Sequence, residues 1–341
     1  MVVGTGRFAT QLVRRLSTVV DVPLHVVQCG RGHRTSQEEV HADDLVQHTY
    51  ARTPSLSGPR GREDLQALLE RWGPSVVVVA TSHYSPYAGG AGGVPFGSSL
   101  AQQLPVALTV AEVAHTRSRP PLLLNACYPE LVNTVCSMLE LPFHAGLGNA
   151  QTLNWSERAD EATRVLGHHA HLGSGDVAAP LVAATDLRTV HEPSRSELDR
   201  IARRRALPRE QRNAFGATAA GDLVATLAAS GTCTDLLPGV GTFGGAVPVS
   251  LSLGSGAAAS AEADVLLRPE DATLARARHR AASASEGWTF DEGRLELSAQ
   301  AAEGMGAWAP SSTILDAAGL RAWATRTIAS LHGTLAQGAH P

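Results

Sequence analysis

Near the start of the chain, Gly4-Thr5-Gly6-Arg7-Phe8-Ala9 follows the pattern G-x-G-x-x-A. It stands between an apolar stub, Met1–Val3, and a helical spacing of apolar residues at Phe8, Leu12, Val13 and Leu16. The first glycine of such a turn permits a tight bend, the second lets backbone approach a pyrophosphate, and the small third residue lets helix pack on strand. The helix N-terminus then offers unpaired N–H groups to phosphate oxygens. The expected ligand is a dinucleotide, held by Gly4, Gly6, Arg7, Phe8 and Ala9, with Thr81 and Asn125 at later strand ends. After the second apolar run comes Cys29-Gly30-Arg31-Gly32-His33-Arg34-Thr35-Ser36, with no carboxylate until Glu38. An acidic residue there would bind a ribose 2′-hydroxyl, whereas Arg31 and Arg34 with Thr35 or Ser36 suit a 2′-phosphate. This predicts NADP(H) in preference to NAD(H); a solvated basic loop is the alternative.

Gly167-His168-His169-Ala170-His171 concentrates imidazoles. An imidazole titrates near neutral pH and can take or give a proton. On a strand, His169 and His171 would share a face, and with His144 and His168 could be imagined as a metal cluster. No carboxylate or cysteine stands at matched spacing, so no metal is expected. Arg158 and Arg164 could each hold a carboxylate, or lie on a helix surface. His83, Tyr84 and Tyr87 are further proton donors or aromatic walls, or simply loop packing.

The chain has 341 residues, 28 basic and 32 acidic side chains and a net charge of −4. Every basic residue is arginine, which excludes a Schiff base or a phosphate-loop lysine. The near-neutral charge argues against a nucleic-acid partner. No apolar run approaches the roughly 18 residues of a membrane span. The start lacks a signal-peptide pattern, and Cys29, Cys127, Cys136 and Cys233 show no CxxC spacing. A cytoplasmic protein with reduced thiols is expected.

The elements that must position these residues alternate. Pro23–Cys29 reads as a strand, Asp64–Trp72 as a helix stopped by Gly73-Pro74, and Ser75–Thr81 as a strand buried on both faces. A glycine-rich loop, Ala88–Gly97, reads as a lid or a connector. Ser98–Arg117 is helical, with the regular helix beginning near Pro105, and Pro120–Asn125 is another buried strand. Leu131–Leu139 is a helix. Strand–helix alternation predicts a doubly wound parallel sheet. In the second half, Glu197–Arg205 reads as a solvated helix, Gly216–Ala229 as a small-residue helix able to pack closely, and Ala246–Gly254 as an antiparallel strand. Ala257–Glu286 is placed on the surface. Ser311–Ala336 reads as a long helix opened by a Ser-Ser-Thr cap.

In order along the chain, the phosphate turn, Leu124-Asn125-Ala126-Cys127-Tyr128-Pro129, Gly146-Leu147-Gly148-Asn149, Gly167-His168-His169, Gly216–Gly221 and Phe243–Gly254 resemble the motif series of the lactate/malate dehydrogenase superfamily. The resemblance implies a Rossmann-type α/β fold: residues 1–147 would be the dinucleotide-binding domain, and 148–341 an α+β catalytic, substrate and oligomerisation domain. It implies His169 as the proton-transferring residue, Asn125 in contact with cofactor and substrate, and Arg158 as a carboxylate ligand. A homodimer or homotetramer is implied, with Gly216–Ala229 suiting the interface. Two departures stand out. The loop Ser82–Gly97 has no arginine, and Asn154 stands where the family has the aspartate that orients the histidine. The reading is therefore an NADP(H)-dependent oxidoreductase moving a hydride between nicotinamide and a C=O or C=N carbon of a small substrate, one that could carry a carboxylate. Two alternatives are a dinucleotide-binding sensor and an enzyme similar to the NAD-dependent glycosidases; the metal-binding cysteine of the latter is replaced by Gly148-Asn149.

Overall fold

The computed structural model describes residues 1–29, 48–53, 56, 58–81, 94–154, 164–172, 177–254 and 261–336. Six strands form one parallel sheet: β1 (Val2–Val3), β2 (Leu24–Cys29), β3 (His48–Thr53), β4 (Val76–Val79), β5 (Leu122–Asn125) and β6 (Ala145–Gly146). Their order across the sheet is β3-β2-β1-β4-β5-β6. That is the Rossmann arrangement, with its reversal of strand order between β1 and β4. The continuous apolar runs are explained by burial on both faces. Val3, Val27, Val77, Val79 and Leu123 enter one core, while Val2, Val26, Val78, Leu122 and Leu124 enter the other.

The first core is covered by α2 (Pro59–Trp72), α3 (Leu100–His115) and α4 (Pro129–Met138), and the second by α1 (Arg7–Val19). Helix α2 begins five residues before the expected Asp64, because Pro59 occupies its first turn, where a missing N–H costs nothing. It ends at Gly73 in the left-handed conformation, φ 52°, as its glycine predicts. Pro105 does not open α3 but lies inside it; the helix starts at Leu100 behind a 3-10 turn, Phe96–Ser99. The edge strand β3 has no clear sequence signal, since HTYART alternates too weakly to stand out.

The rest of the chain packs on both faces. After the short α5 (Asn149–Thr152) come β7 (Arg164–Val165), β8 (Val182–Ala183) and β9 (Val190–His191), a small antiparallel sheet. Then follow α6 (Arg195–Arg205), α7 (Arg209–Ser230), β10 (Thr232–Leu237), β11 (Val247–Ser252) and β12 (Glu262–Val265). The last elements are α8 (Pro269–Ser285), β13 (Trp288–Asp291), β14 (Arg294–Leu297), α9 (Ala299–Gly304), β15 (Ile314–Leu315) and α10 (Ala317–Ala336). Strand β11 pairs antiparallel with β10 and β12, as its alternation requires.

Three expectations are corrected here, and the close packing expected of α7 is met within the chain. Helix α6 is not wholly solvated: a capping box of Ser194 and Glu197 starts it, and Arg200 is buried. The small-residue face of α7 is covered by α1 of the same chain; a Cβ on Gly221 would lie 2.5 Å from Arg15 Cγ. Ala257–Glu286 is not a surface segment, because α8 buries Ala272, Ala275, His279, Ala282 and Ser283. Finally, α10 starts at Ala317, where the Asp316 carboxylate accepts the Gly319 amide at 2.7 Å; Ser312 instead bonds Ile314.

Candidate active site

All six strands run the same way, so their carboxyl ends share one edge of the sheet, where ligands of such folds bind. At the end of β1, Gly4 has φ +129° and donates to Val27 O at 2.9 Å. A Cβ there would lie 2.6 Å from the carbonyl oxygen of Ala80 and 2.9 Å from the Cβ of Thr81, so only glycine fits. Gly6 is exposed, caps α1 without any side-chain hydrogen bond, and has nothing within 4 Å of a Cβ position. The first turn of α1 carries no acidic residue. Ala9 is fully buried against the sheet. This open, donor-rich cradle fits a dinucleotide pyrophosphate, with phosphate oxygens approaching backbone at Gly6 and the α1 amides.

The other cofactor residues divide. Thr81 is half-buried just past β4 and its carbonyl accepts the Cys127 thiol at 3.1 Å. Phe8 is half-buried and leans toward Gly148, itself at φ +117°. Arg7 is largely exposed and pairs with Glu210 at 2.8 Å. Arg31, Arg34 and Thr35, expected to select the 2′-phosphate, and Arg158, expected to hold a carboxylate, lie outside the described residues, as do His83, Tyr84 and Tyr87.

Asn125, the last residue of β5, is fully buried. Its amide donates to Asn133 Oδ1 at 2.8 Å and Cys127 O at 3.2 Å, and its oxygen accepts the Cys127 amide at 2.9 Å. In this arrangement the side chain closes the turn after β5.

His169 and Glu286 form the centre of the site. His169 opens a 3-10 turn, His169–Leu172, and its Nδ1 lies 2.5 Å from Glu286 Oε1. The imidazole side chain is 16% exposed and the Glu286 side chain 7%. Phe96 stacks on the ring at a centroid distance of 4.1 Å, and Tyr128 meets it edge-on at 5.5 Å. The Tyr128 hydroxyl donates to Glu286 Oε2 at 2.6 Å. Tyr128 stands three residues past β5, so the pair is placed at the β4–β5–β6 half of the edge, across the strand reversal from β2 and β3. This carboxylate comes from the residue just past α8, 117 residues away from the histidine in sequence.

Glu130, in the first turn of α4, is also buried beside this pair. Burial pushes its carboxyl up to about 7, only partly offset by the charge of His169 and by the amides of Glu130 and His169. Two carboxyl groups therefore face one imidazole, one of them able to keep its proton near neutral pH.

The neighbouring histidines have other tasks. His168 is fully buried; its Nδ1 accepts the Ala170 amide at 3.0 Å, so its Nε2–H donates to Ser283 Oγ at 3.0 Å. The 3.7 Å approach of His168 to Glu286 is then proximity, not an ion pair, since burial holds that imidazole well below its usual range. His171 accepts the His168 amide on Nδ1 and donates to Ala178 O, and burial lowers it to about 3. The turn is 3-10, not a strand, so His169 and His171 do not share a face. Among the described residues no three His, Cys, Asp or Glu side chains converge as metal ligands.

No family model matches the chain, and no curated protein matches it in sequence. Among solved structures it is similar to the minor L-lactate dehydrogenase of Enterococcus mundtii in its ligand-unbound form, at 9% identity and a TM-score of 0.49. The match covers 84% of this chain and 95% of that one. A likeness of that size says nothing about chemistry, which rests on the side chains above. Among the described residues, no helix is long and apolar enough to cross a membrane.

Proposed function

We propose that the protein is an oxidoreductase that moves a hydride between NADP(H) and a C=O or C=N carbon of a small substrate, with His169 as the general acid/base. The observation that carries this reading is the half-buried His169–Glu286 pair at the carboxyl edge of a Rossmann sheet whose first turn fits a dinucleotide. A bound nicotinamide supplies or accepts the hydride. Glu286 accepts from Nδ1–H and so orients the imidazole, leaving Nε2 as the atom that takes or gives the proton. The carboxylate stabilises the imidazolium that forms when Nε2 is protonated. Phe96 and Tyr128 shield the pair from water, which strengthens that interaction. NADP(H) is proposed over NAD(H) from the Arg31, Arg34 and Thr35 segment, and a substrate carboxylate from Arg158. A cytoplasmic homodimer or homotetramer belongs to the same proposal.

The test follows reduced-nicotinamide absorbance with NADPH and NADH against a panel of 2-oxo acids, imines and dehydroamino acids. Turnover favouring NADPH is expected, falling about 100-fold or more in His169→Ala. Full activity in that variant would remove His169 from the mechanism. Comparable KM values for both cofactors would remove the NADP(H) preference. The internal bonding of Asn125 favours one second reading, a dinucleotide-binding sensor; tight cofactor binding without any turnover would select it.

A further inference from the structure

Three side chains behind His169 make a hydrogen-bond chain whose direction is determined by their chemistry. Trp288 Nε1 lies 2.8 Å from the Tyr128 oxygen. An indole nitrogen can only donate, so the Tyr128 oxygen accepts there. The Tyr128 hydrogen must then point to Glu286 Oε2, at 2.6 Å. Burial and the facing carboxylates hold the Tyr128 phenol well above its usual range, so it stays a donor at every working pH. Glu286 as a carboxylate can only accept, which places a proton on His169 Nδ1 at the 2.5 Å contact.

Tyr128 also occupies a backbone conformation that has to be maintained by its surroundings. It has φ 47° and ψ 59°, the left-handed region, at the residue before α4. Bulky residues rarely adopt it, and such outliers persist where neighbouring structure over-determines them. The ring is 4% exposed and stands edge-on to Phe96 at 4.6 Å.

We propose that Tyr128 is a positioning residue that sets, through Glu286, how tightly the imidazole of His169 holds a second proton, with Trp288 setting the direction of the relay. The inference rests on the acid/base reading of His169, but its test needs no turnover. Among the described residues, the groups facing the imidazole include Glu286 from the end of α8, Tyr128 and Glu130 from the start of α4, Phe96 from the turn before α3, and His168 beside it in the chain. The Tyr128 hydroxyl draws negative charge from Glu286. Its removal leaves more charge on Oε1, which strengthens the hold on the imidazolium. A merely structural role would do the reverse, because a loosened contact weakens that hold.

The experiment is 15N NMR of the full chain labelled at histidine, with the His169 signal identified by its loss in His169→Gln. Wild-type His169 is expected to carry its neutral-form proton on Nδ1. Tyr128→Phe is expected to raise the His169 titration midpoint by about half to one pH unit, roughly three- to tenfold in proton affinity. Glu286→Gln should lower it. Trp288→Phe, which keeps the hydroxyl but makes it a weaker donor, should raise it by less, and it serves if Tyr128→Phe does not fold. A midpoint that falls or stays in Tyr128→Phe, or a wild-type neutral proton on Nε2, would overturn the proposal. If these shifts appear but no hydride transfer is found, the relay stands and the oxidoreductase reading fails.

Discussion

The amide of Gly97 donates to the backbone carbonyl of Glu286 at 2.8 Å. The residue whose side chain holds His169 is therefore also the residue to which the Phe96–Ser99 turn is tied. A Cβ on Gly97 would lie 2.7 Å from that carbonyl oxygen, too close for either backbone to keep its place. Gly97→Ala should destabilise the fold by about 1–3 kcal/mol, a typical cost of overpacking. It should also lower any His169-dependent rate, because it shifts the backbone that carries Glu286. Urea unfolding and turnover measured on the same preparation check both. An unchanged unfolding midpoint would show that this contact tolerates movement.

Removing the Glu286 side chain leaves the buried Tyr128 hydroxyl and the His169 Nδ1–H without their acceptor. A buried donor so abandoned costs about 1–3 kcal/mol. Glu286→Ala should therefore lose stability as well as activity, while His169→Ala loses mainly activity. Thermal melts of the two variants, compared with their rates, separate the outcomes.

The two glycines of the first turn should answer differently to alanine. At Gly4 a side chain meets Ala80 O at 2.6 Å in a φ +129° conformation, so Gly4→Ala should unfold easily or fail to accumulate. At Gly6 nothing lies within 4 Å of a Cβ position. Gly6→Ala should fold normally yet bind a dinucleotide at least about tenfold more weakly, because the methyl occupies the space a phosphate needs. Calorimetric titration with NADPH reads the second effect. Equal affinity would place the pyrophosphate elsewhere.

Acid should destabilise the protein well before ordinary carboxylates protonate. His168, His171 and His279 are buried and neutral, with burial lowering His168 well below its usual range, His171 to about 3 and His279 to about 4. Their unfolded forms bind protons below about pH 6.5 while the folded forms do not, so their stabilising contribution is present above pH 6.5 and is lost as pH falls. By pH 5 His171 and His279 each cost on the order of 2 kcal/mol, and His168 acts in the same direction. Glu130 acts in the opposite sense: its carboxyl is raised from 4.5 to about 7, so the folded form keeps a proton that the unfolded form releases. Its penalty grows as pH rises through 4.5 to 7. His144, also lowered by burial, acts with these histidines, and Asp235, raised by burial, acts with Glu130; the net trend is a loss of stability from pH 7 to pH 5. Glu130→Gln should raise stability at pH 8 and change it little at pH 5. Urea midpoints at the two pH values check the sign.

The sheet was legible because its information is local. A strand buried on both faces needs an unbroken apolar run, and Ser75–Thr81 and Pro120–Asn125 supply one each. The tight turn at Gly4 needs glycine for steric reasons that a sequence pattern records directly. Helices were found where an apolar stripe was sharp, as in α1, and misplaced where it was not. Helix α8 gives no clear stripe because its buried face is made of alanines, Asp271, His279 and Ser283, residues that carry little hydrophobic contrast.

The candidate site was legible by half. Motif spacing sets His169 apart from His168; in the structure the His169 side chain is partly exposed and His168 is fully buried. Its partners did not stand out. Glu286 lies in Ser285-Glu286-Gly287-Trp288, which matches no pattern, and Tyr128 was noted only as part of the segment after Asn125. Asn125 itself, singled out for ligand contact, is bonded internally to Cys127 and Asn133.

By itself the sequence determined the parallel α/β sheet and the glycine turn, since backbone sterics and hydropathy act between near neighbours. Tertiary structure alone decided which carboxylate meets that imidazole. Glu286 and His169 are separated by 117 residues, and Tyr128 and Glu286 by 158. Hydrogen bonds of 2.5 to 2.6 Å between such positions depend on how α8, the 3-10 turn and the end of β5 pack together, and no spacing along the chain encodes that distance.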